Sequence, residues 1–147
     1  MDQTAIFQPF IATMILTLAV WVYMYARRLT FIFSSGLAPK QMTPSELARL
    51  SPPQVSTPSD NLKNLFELPT IFYAIALTLA LMEFGGGINY WLAWGYVGIR
   101  IVHSLVQGTI NIVPVRLTLF VLSSLCLIGL TTHAGLRILH DCGLIHF

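Results

Sequence analysis

The fold is decided by residues 62–107, LKNLFELPTIFYAIALTLALMEFGGGINYWLAWGYVGIRIVHSLVQ. Two apolar runs, 62–84 and 88–107, each have about the 20 residues that a helix needs to cross about 30 Å of hydrocarbon. The three glycines between them leave room only for a tight turn. The stretch therefore predicts two antiparallel membrane helices that are neighbours in the fold.

The composition places the whole chain among multi-pass membrane proteins. Of its 147 residues, 55% are hydrophobic and 10% are charged, and the mean hydropathy is +0.72, outside the range of soluble domains. Two further apolar stretches, 6–26 and 115–136, complete four predicted spans, and residues 27–60 form one long cytoplasmic connection. We expect an all-α integral membrane protein, a four-transmembrane-helix bundle with a single domain over residues 1–147.

The long connection contains one helix signal among its prolines. Thr43 is a good N-cap, Pro44 suits the first helical position and Glu46 stands at the third. This pattern predicts a short surface helix near residues 44–50. Other prolines of the segment are predicted to break regular structure, namely Pro39, Pro52, Pro53 and Pro58.

Basic residues predict the orientation. With Arg100 set aside as buried, one side of the membrane has only Arg137, and the other has Arg27, Arg28, Lys40, Arg49, Lys63 and Arg116. The positive-inside rule puts the richer side in the cytoplasm and both termini outside it. The first span lacks the basic start and cleavage site of a signal peptide, so we expect it to remain as a helix. The net charge of +2 includes no basic run of the kind that nucleic-acid binding needs.

Polar residues inside the second and third spans are the most informative about function, because such residues are costly in lipid. Asn64 and Glu67 lie one turn apart, while Arg100, His103 and Gln107 lie at i, i+3 and i+7, so each helix has one polar stripe. At 1.5 Å per residue, Glu67 and Arg100 both lie about 9 to 10 Å below the cytoplasmic boundary. We therefore predict an ion pair between them.

Two further arginines lie near the same boundary. Arg116 begins the fourth span and Arg27 ends the first, so together with the stripes they predict a cationic pocket with one internal acid. Simpler interpretations stay open. The buried acid and base can serve only to hold the helices in register, and arginines at the interface can extend to lipid headgroups.

The cysteines and the remaining histidines indicate no metal site or disulfide. Cys126 and Cys142 form no CxxC pattern. His140, Cys142 and His146 fit no zinc spacing, so this segment is interpreted as a polar tail. His133, near the end of the fourth span, is predicted to make an interhelical hydrogen bond or a contact at the lipid interface.

Three segments in order resemble the MAPEG family, the membrane-associated proteins of eicosanoid and glutathione metabolism. They are Asn64-Leu65-Phe66-Glu67-Leu68-Pro69, Arg100-Ile101-Val102-His103 and Pro114-Val115-Arg116. The first is most similar to the bacterial branch. Any one segment is a weak signal, but all three, after Ala26-Arg27-Arg28 and a long first loop, are fairly specific and cover almost the whole chain.

The resemblance implies a homotrimer, with glutathione as co-substrate bound between adjacent subunits near the cytoplasmic face. Glutathione has two carboxylates, an ammonium and a thiol, and the predicted pocket offers arginines, an acid and a cation for them. By this resemblance Arg116 is the catalytic residue beside the sulfur, where a cation favours the thiolate. The ligand-binding residues are Arg27, Asn64, Glu67, Arg100, His103 and Gln107. The second substrate would be a lipophilic electrophile entering from the bilayer, in the inner membrane if the protein is bacterial.

Three positions depart from the pattern of glutathione-using members. Asp60 stands where an arginine is common, and Gln107 and Phe120 replace tyrosines whose hydroxyls could bond the thiolate. Asn111 is a candidate to replace one lost polar contact. Two functions stay open: a membrane glutathione transferase or peroxidase, and a non-catalytic lipid-binding or scaffold trimer. A proton-coupled drug exporter ranks last, because the first span has no carboxylate.

Overall fold

The computed structural model describes residues 3–144, and its regular structure is helical. In chain order the helices are α1 (Phe7–Ser35), α2 (Pro44–Leu50), α3 (Pro53–Leu81), α4 (Ile88–Gly108) and α5 (Val113–Asp141). Short 3-10 turns lie at Gln3–Ile6 and Pro39–Met42. No strand occurs in this part of the chain, so the predicted all-α class is confirmed.

Three helical segments are long and apolar enough to cross a membrane, namely Thr4–Ser35, Pro53–Leu81 and Val113–Asp141. They leave many large hydrophobic side chains exposed, as lipid-facing helices do. Helix α4 is not in this set and contains four polar side chains that are at most 2% exposed: Asn89, Arg100, His103 and Gln107. Neighbouring helices cover these groups, which would be costly in contact with lipid. The helices thus indicate a membrane protein with its buried polar groups concentrated in α4.

The connection between the first two long helices is shorter than predicted. Helix α1 continues to Ser35 and α3 begins at Pro53, so only residues 36–52 separate them, and the predicted loop 27–60 is wrong at both ends. Proline is favourable at the first position of a helix, which is where Pro53 stands. Pro58 lies inside α3, where its lost hydrogen bond is compensated by a contact from α1 described below.

The short helix predicted after Thr43 is confirmed as α2. The Thr43 hydroxyl accepts a hydrogen bond from the backbone N–H of Glu46 at 3.4 Å, as an N-cap does. Leu47 is the buried side chain of this helix, at 4% exposure. The connection is therefore partly helical.

The core lies between the four long helices, with α1 packed mainly on α3 and α4 mainly on α5. The rings of Phe72 and Tyr96 stack with their centroids 4.7 Å apart and join α3 to α4. Helices α4 and α5 pack at Gly95, where an added Cβ would be in ordinary van der Waals contact with the Cys126 sulfur, at 3.5 Å. This packing fixes which side of α4 faces α3 and α5.

A set of polar contacts joins α4 and α5 at the end of the bundle near the glycine turn. The His133 Nδ1 donates to the Asn89 side-chain oxygen at 2.8 Å, and the Asn89 amide donates to the Phe84 carbonyl at 2.7 Å. The Phe84 ring also stacks on His133, with centroids 5.2 Å apart. Of the two roles predicted for His133, the interhelical hydrogen bond is the one observed.

Candidate functional site

A cleft of about 240 Å³ opens where α3, α4 and the start of α5 meet. We call it the Arg116 cleft, and its lining consists of Asn64, Glu67, His103, Val113, Arg116, Leu117 and Phe120. Four of the seven predicted site residues lie in this lining. The other three lining residues are apolar side chains of α5, so the cleft has one polar wall and one apolar wall.

A chain of polar contacts forms the polar wall. The Asn64 amide donates to the Gln107 side-chain oxygen at 3.0 Å, and the His103 Nε2 contacts that oxygen at 3.1 Å. The other ring nitrogen, Nδ1, lies 3.0 Å from the Arg116 backbone carbonyl oxygen. Both partners of the ring are carbonyl oxygens, which can only accept, so a neutral ring donates to one of them at a time. Gln107 is 1% exposed and lies behind the cleft. The chain of contacts thus links α3, α4 and α5 at one level.

Arg116 is held at two points. His103 binds its backbone carbonyl, and its guanidinium Nη1 donates to the Asn111 side-chain oxygen at 2.8 Å. Asn111 has a φ of 47°, in the left-handed region that asparagine adopts more readily than most residues. The structure therefore gives Asn111 a definite position, in contact with the guanidinium of the cleft.

Arg100 lies behind the cleft and does not form the predicted ion pair. Its fully buried guanidinium lies 6.0 Å from the Tyr96 ring centroid and 5.4 Å from that of Phe120, and it donates to the Asn64 backbone carbonyl. Within residues 3–144, no contact within 4 Å joins it to Glu67, whose side chain is exposed in the cleft. The predicted pair is wrong because equal depth does not determine which way each helix is rotated.

The Arg100 guanidinium is short of hydrogen-bond partners. Its Nε and Nη1 are inaccessible and have none in the described part of the chain. An unpaired buried charge costs several kcal/mol unless neighbouring groups compensate. The positive charge behind the polar wall therefore favours an anionic group in the cleft.

Arg27 lies outside the Arg116 cleft. Its Nε donates to the Gln54 backbone carbonyl at 3.3 Å, a carbonyl that is free because Pro58, four residues later, has no N–H. Arg27 lines a separate cleft of about 460 Å³ beside Tyr23 and Thr109. One chain therefore does not bring Arg27 together with Arg116.

The structure also locates the three departures from the family pattern. Phe120 lines the cleft with its ring centroid 6.0 Å from that of His103, so this position supplies no hydroxyl. The Gln107 side-chain oxygen contacts Asn64 and His103 behind the wall. Asp60 forms an exposed ion pair with Lys63 at 2.9 Å. In the cleft lining, the cationic group left to face a bound anion is Arg116.

Asn61 is a buried polar residue that the sequence patterns do not single out. It is 3% exposed and its amide donates to the Ser104 backbone carbonyl at 3.2 Å. Its position three residues before Asn64 puts it on the same polar stripe, which is the signal that could have found it. Among residues 3–144, no group of three His, Cys, Asp or Glu could hold a metal ion, and His146 lies outside the described residues.

Comparison with known proteins gives one match. No curated protein and no solved structure matches this chain. The model of the MAPEG family matches residues 6–136 of the 147, which include helices α1 to α4 and most of α5. All lining residues of the Arg116 cleft lie within this range. The chain therefore belongs to the MAPEG family.

Proposed function

We propose that this protein is a glutathione-dependent transferase or peroxidase that acts on lipophilic electrophiles, with glutathione bound at the Arg116 cleft. The observation that carries the proposal is the meeting of Asn64, Glu67, His103 and Arg116 on one wall of a cleft. The resemblance that identified the family implies glutathione, and these side chains have the charges that it needs.

The groups of glutathione can be matched to the polar wall. The exposed Glu67 carboxylate can bind the ammonium, and the Asn64 amide lies one turn away for a polar contact. Arg116 supplies a positive charge that favours the thiolate over the thiol. In the transferase reaction the thiolate sulfur forms a bond to the electrophilic carbon, while the leaving group departs with the bonding electrons.

The apolar wall suits the second substrate. Val113 and Leu117 are about 60% exposed on the lipid-facing surface of α5, next to Arg116. A lipophilic electrophile can reach the sulfur along these side chains without leaving the apolar phase. The cleft thus has an apolar surface for the electrophile next to the charged side chains proposed to bind glutathione.

One chain supplies only part of a binding site. At about 240 Å³ the cleft is below the roughly 300–1,000 Å³ of typical small-molecule sites. We therefore propose that a neighbouring copy completes it in a homotrimer, and Arg27 can reach the ligand only from such a copy. We also propose that α4, whose 21 residues extend about 31 Å, is the fourth span and that the basic end of the bundle faces the cytoplasm.

A specific observation supports a second candidate, a non-catalytic lipid-binding or scaffold trimer. Phe120 and Gln107 leave no tyrosine hydroxyl to bond a thiolate at the positions where relatives that use glutathione have one. The same apolar wall would then bind a lipid, and glutathione would not be turned over. The two candidates differ in whether binding is followed by reaction.

Calorimetric titration of glutathione into detergent-purified protein tests the binding step. We expect saturable binding that is weakened at least about tenfold by Arg116→Leu and by Glu67→Gln, since each removes a charged partner. The matched controls are Arg49→Leu and Glu46→Gln, which remove the same charges from an exposed pair on α2. Absence of binding to folded wild type, or equal losses in the controls, would contradict the proposed site.

Turnover with a chlorodinitrobenzene and with a lipid hydroperoxide separates the two candidates. Conjugation or peroxide reduction that disappears in Arg116→Leu supports the enzyme. Glutathione binding without either reaction would favour the non-catalytic candidate.

A further inference from the structure

We propose that Asn111 is a positioning residue, which holds the Arg116 guanidinium in the cleft and leaves its positive charge intact for the thiol of bound glutathione. This role rests on the proposed function, because it concerns the same cleft. Asn111 lies in the short loop between α4 and α5, at residues 109–112, and acts only through Arg116.

The loop gives Asn111 an unusual backbone conformation. Its φ is 47°, and its backbone N–H donates to the Val106 carbonyl at 2.8 Å, at the end of α4. In the described part of the chain, the other non-glycine residue with a positive φ is Glu83. Glycine adopts such a φ at the least cost, and asparagine tolerates it better than most residues. Glycine would meet the backbone requirement, so that requirement does not account for the amide side chain.

The amide side chain makes one contact, and it is with the cleft arginine. The Arg116 Nη1 donates to the Asn111 side-chain oxygen at 2.8 Å. The other end of Arg116 is fixed by the backbone, since its N–H donates to the Ile112 carbonyl at 3.0 Å and its carbonyl oxygen lies 3.0 Å from the His103 Nδ1. Both ends of the Arg116 side chain are therefore held.

Without this bond, the guanidinium would have a competing partner outside the cleft. Arg116 lies between lipid-facing positions of α5, because Val113 and Leu117 are mostly exposed. Long arginine side chains at such positions extend to lipid headgroups. The basic end of the bundle also attracts anionic lipids. The bond to Asn111 therefore keeps the charge of Arg116 in the cleft.

An amide suits this task better than a carboxylate. An amide oxygen accepts a hydrogen bond and has no net charge, so Arg116 keeps its full charge. A carboxylate at the same place would form an ion pair and cancel much of that charge, which would favour the thiol over the thiolate. At an effective dielectric constant of about 20, moving a unit charge from about 4 Å to about 6 Å from a sulfur lowers the ionisation equilibrium of the thiol about tenfold. A small displacement of Arg116 would therefore have a measurable effect.

The test uses full-length protein in detergent and the variants Asn111→Gly and Asn111→Asp. We expect Asn111→Gly to bind glutathione within about threefold of the wild type, because Arg116 and Glu67 remain. Its thiolate fraction at neutral pH, measured by ultraviolet absorbance at saturating glutathione, should fall about tenfold. With a chlorodinitrobenzene, kcat should fall equally while KM for glutathione changes little. Since a raised thiol pKa delays ionisation to higher pH, turnover should approach that of the wild type in alkaline solution.

The Asp variant separates position from charge. Asn111→Asp keeps an acceptor for Arg116 but adds a negative charge, so it should also lose thiolate at neutral pH. The matched control is Glu83→Gly, which makes the same backbone change at an exposed position in the turn between α3 and α4. It should behave as wild type. Circular dichroism and thermal melts check the folding of every variant.

The possible results separate this role from the proposed function. If folded Asn111→Gly keeps the wild-type thiolate curve while Arg116→Leu loses it, Asn111 does not position Arg116 and the proposed function still stands. If the wild type binds no glutathione, or if Arg116→Leu keeps the thiolate curve, both proposals fail. If Asn111→Gly does not fold, Asn111→Asp decides, because a wild-type thiolate fraction in that variant would refute the need for a neutral acceptor.

Discussion

Replacing Gln107 by leucine would remove the central member of the polar network that joins three helices. The Gln107 side chain is 1% exposed, and its oxygen lies 3.0 Å from the Asn64 amide nitrogen and 3.1 Å from His103 Nε2. Leucine has a similar volume, so the substitution removes hydrogen bonds without leaving a large cavity. The change in the free energy of unfolding therefore reports the contribution of these hydrogen bonds.

The structure gives a magnitude for this loss. Asn64 borders the cleft, where water can replace its lost bond, so its share is about 0.5 to 1 kcal/mol. His103 is 2% exposed, and leaving its Nε2 unpaired costs about 1 to 3 kcal/mol. The substitution also removes the Gln107 Nε2, which is buried and has no partner in the described chain, an offset of about 1 kcal/mol. We expect Gln107→Leu to lower the free energy of unfolding by about 0.5 to 3 kcal/mol.

Unfolding in mixed micelles of increasing dodecyl sulfate content measures this change. A double-mutant cycle of Gln107→Leu with Asn64→Ala should give a coupling of about 0.6 kcal/mol, the average for interhelical hydrogen bonds in a membrane protein, and no more than about 1.7 kcal/mol. Gln54→Leu serves as the control, because its side chain is exposed. Additive effects in the cycle, or a loss no larger than that of the control, would refute the reasoning.

Three further substitutions have definite expected outcomes. His133→Phe keeps a ring against its aromatic neighbour but loses the 2.8 Å bond to Asn89, so stability in the same assay should fall by about 1 kcal/mol, and unchanged stability would show that the bond contributes nothing. Phe120→Tyr adds a hydroxyl to the cleft and should raise the thiolate absorbance of bound glutathione at neutral pH; no rise would mean that the thiol lies elsewhere. Pro58→Ala restores an N–H that can pair with the Gln54 carbonyl, so Arg27→Gln should cost less stability in this background than in the wild type; equal losses would show that Arg27 does not compensate for the proline.

Local sequence patterns were sufficient for the elements whose causes are local. The three glycines after residue 84 predict a tight turn, and α3 and α4 do lie on either side of it. The cap at Thr43 depends on a side chain and an N–H three residues away, so the α2 helix could be predicted from a few positions. The apolar composition predicted membrane helices for the same reason, because it depends on length and hydropathy alone.

The error at Pro58 shows where local patterns fail. An interior proline favours a break, and this preference placed residues 53–60 in a loop. In the fold the carbonyl that Pro58 leaves free is bound by Arg27 of α1, and Pro58 itself is buried. A contact between residues 27 positions apart in sequence thus compensates a local cost, and no window around the proline contains that information.

The sequence by itself determined the helical membrane class and the family, and it predicts a similar depth for Glu67 and Arg100 from a fixed rise per residue. Which of these groups meet was decided only by the tertiary structure. Packing rotates α4 so that Arg100 lies between two aromatic rings behind the cleft, while Glu67 faces the opening and Arg27 lines a different groove. Rotation about a helix axis results from the contacts of all neighbouring helices at once, and a single helix's spacing does not specify it.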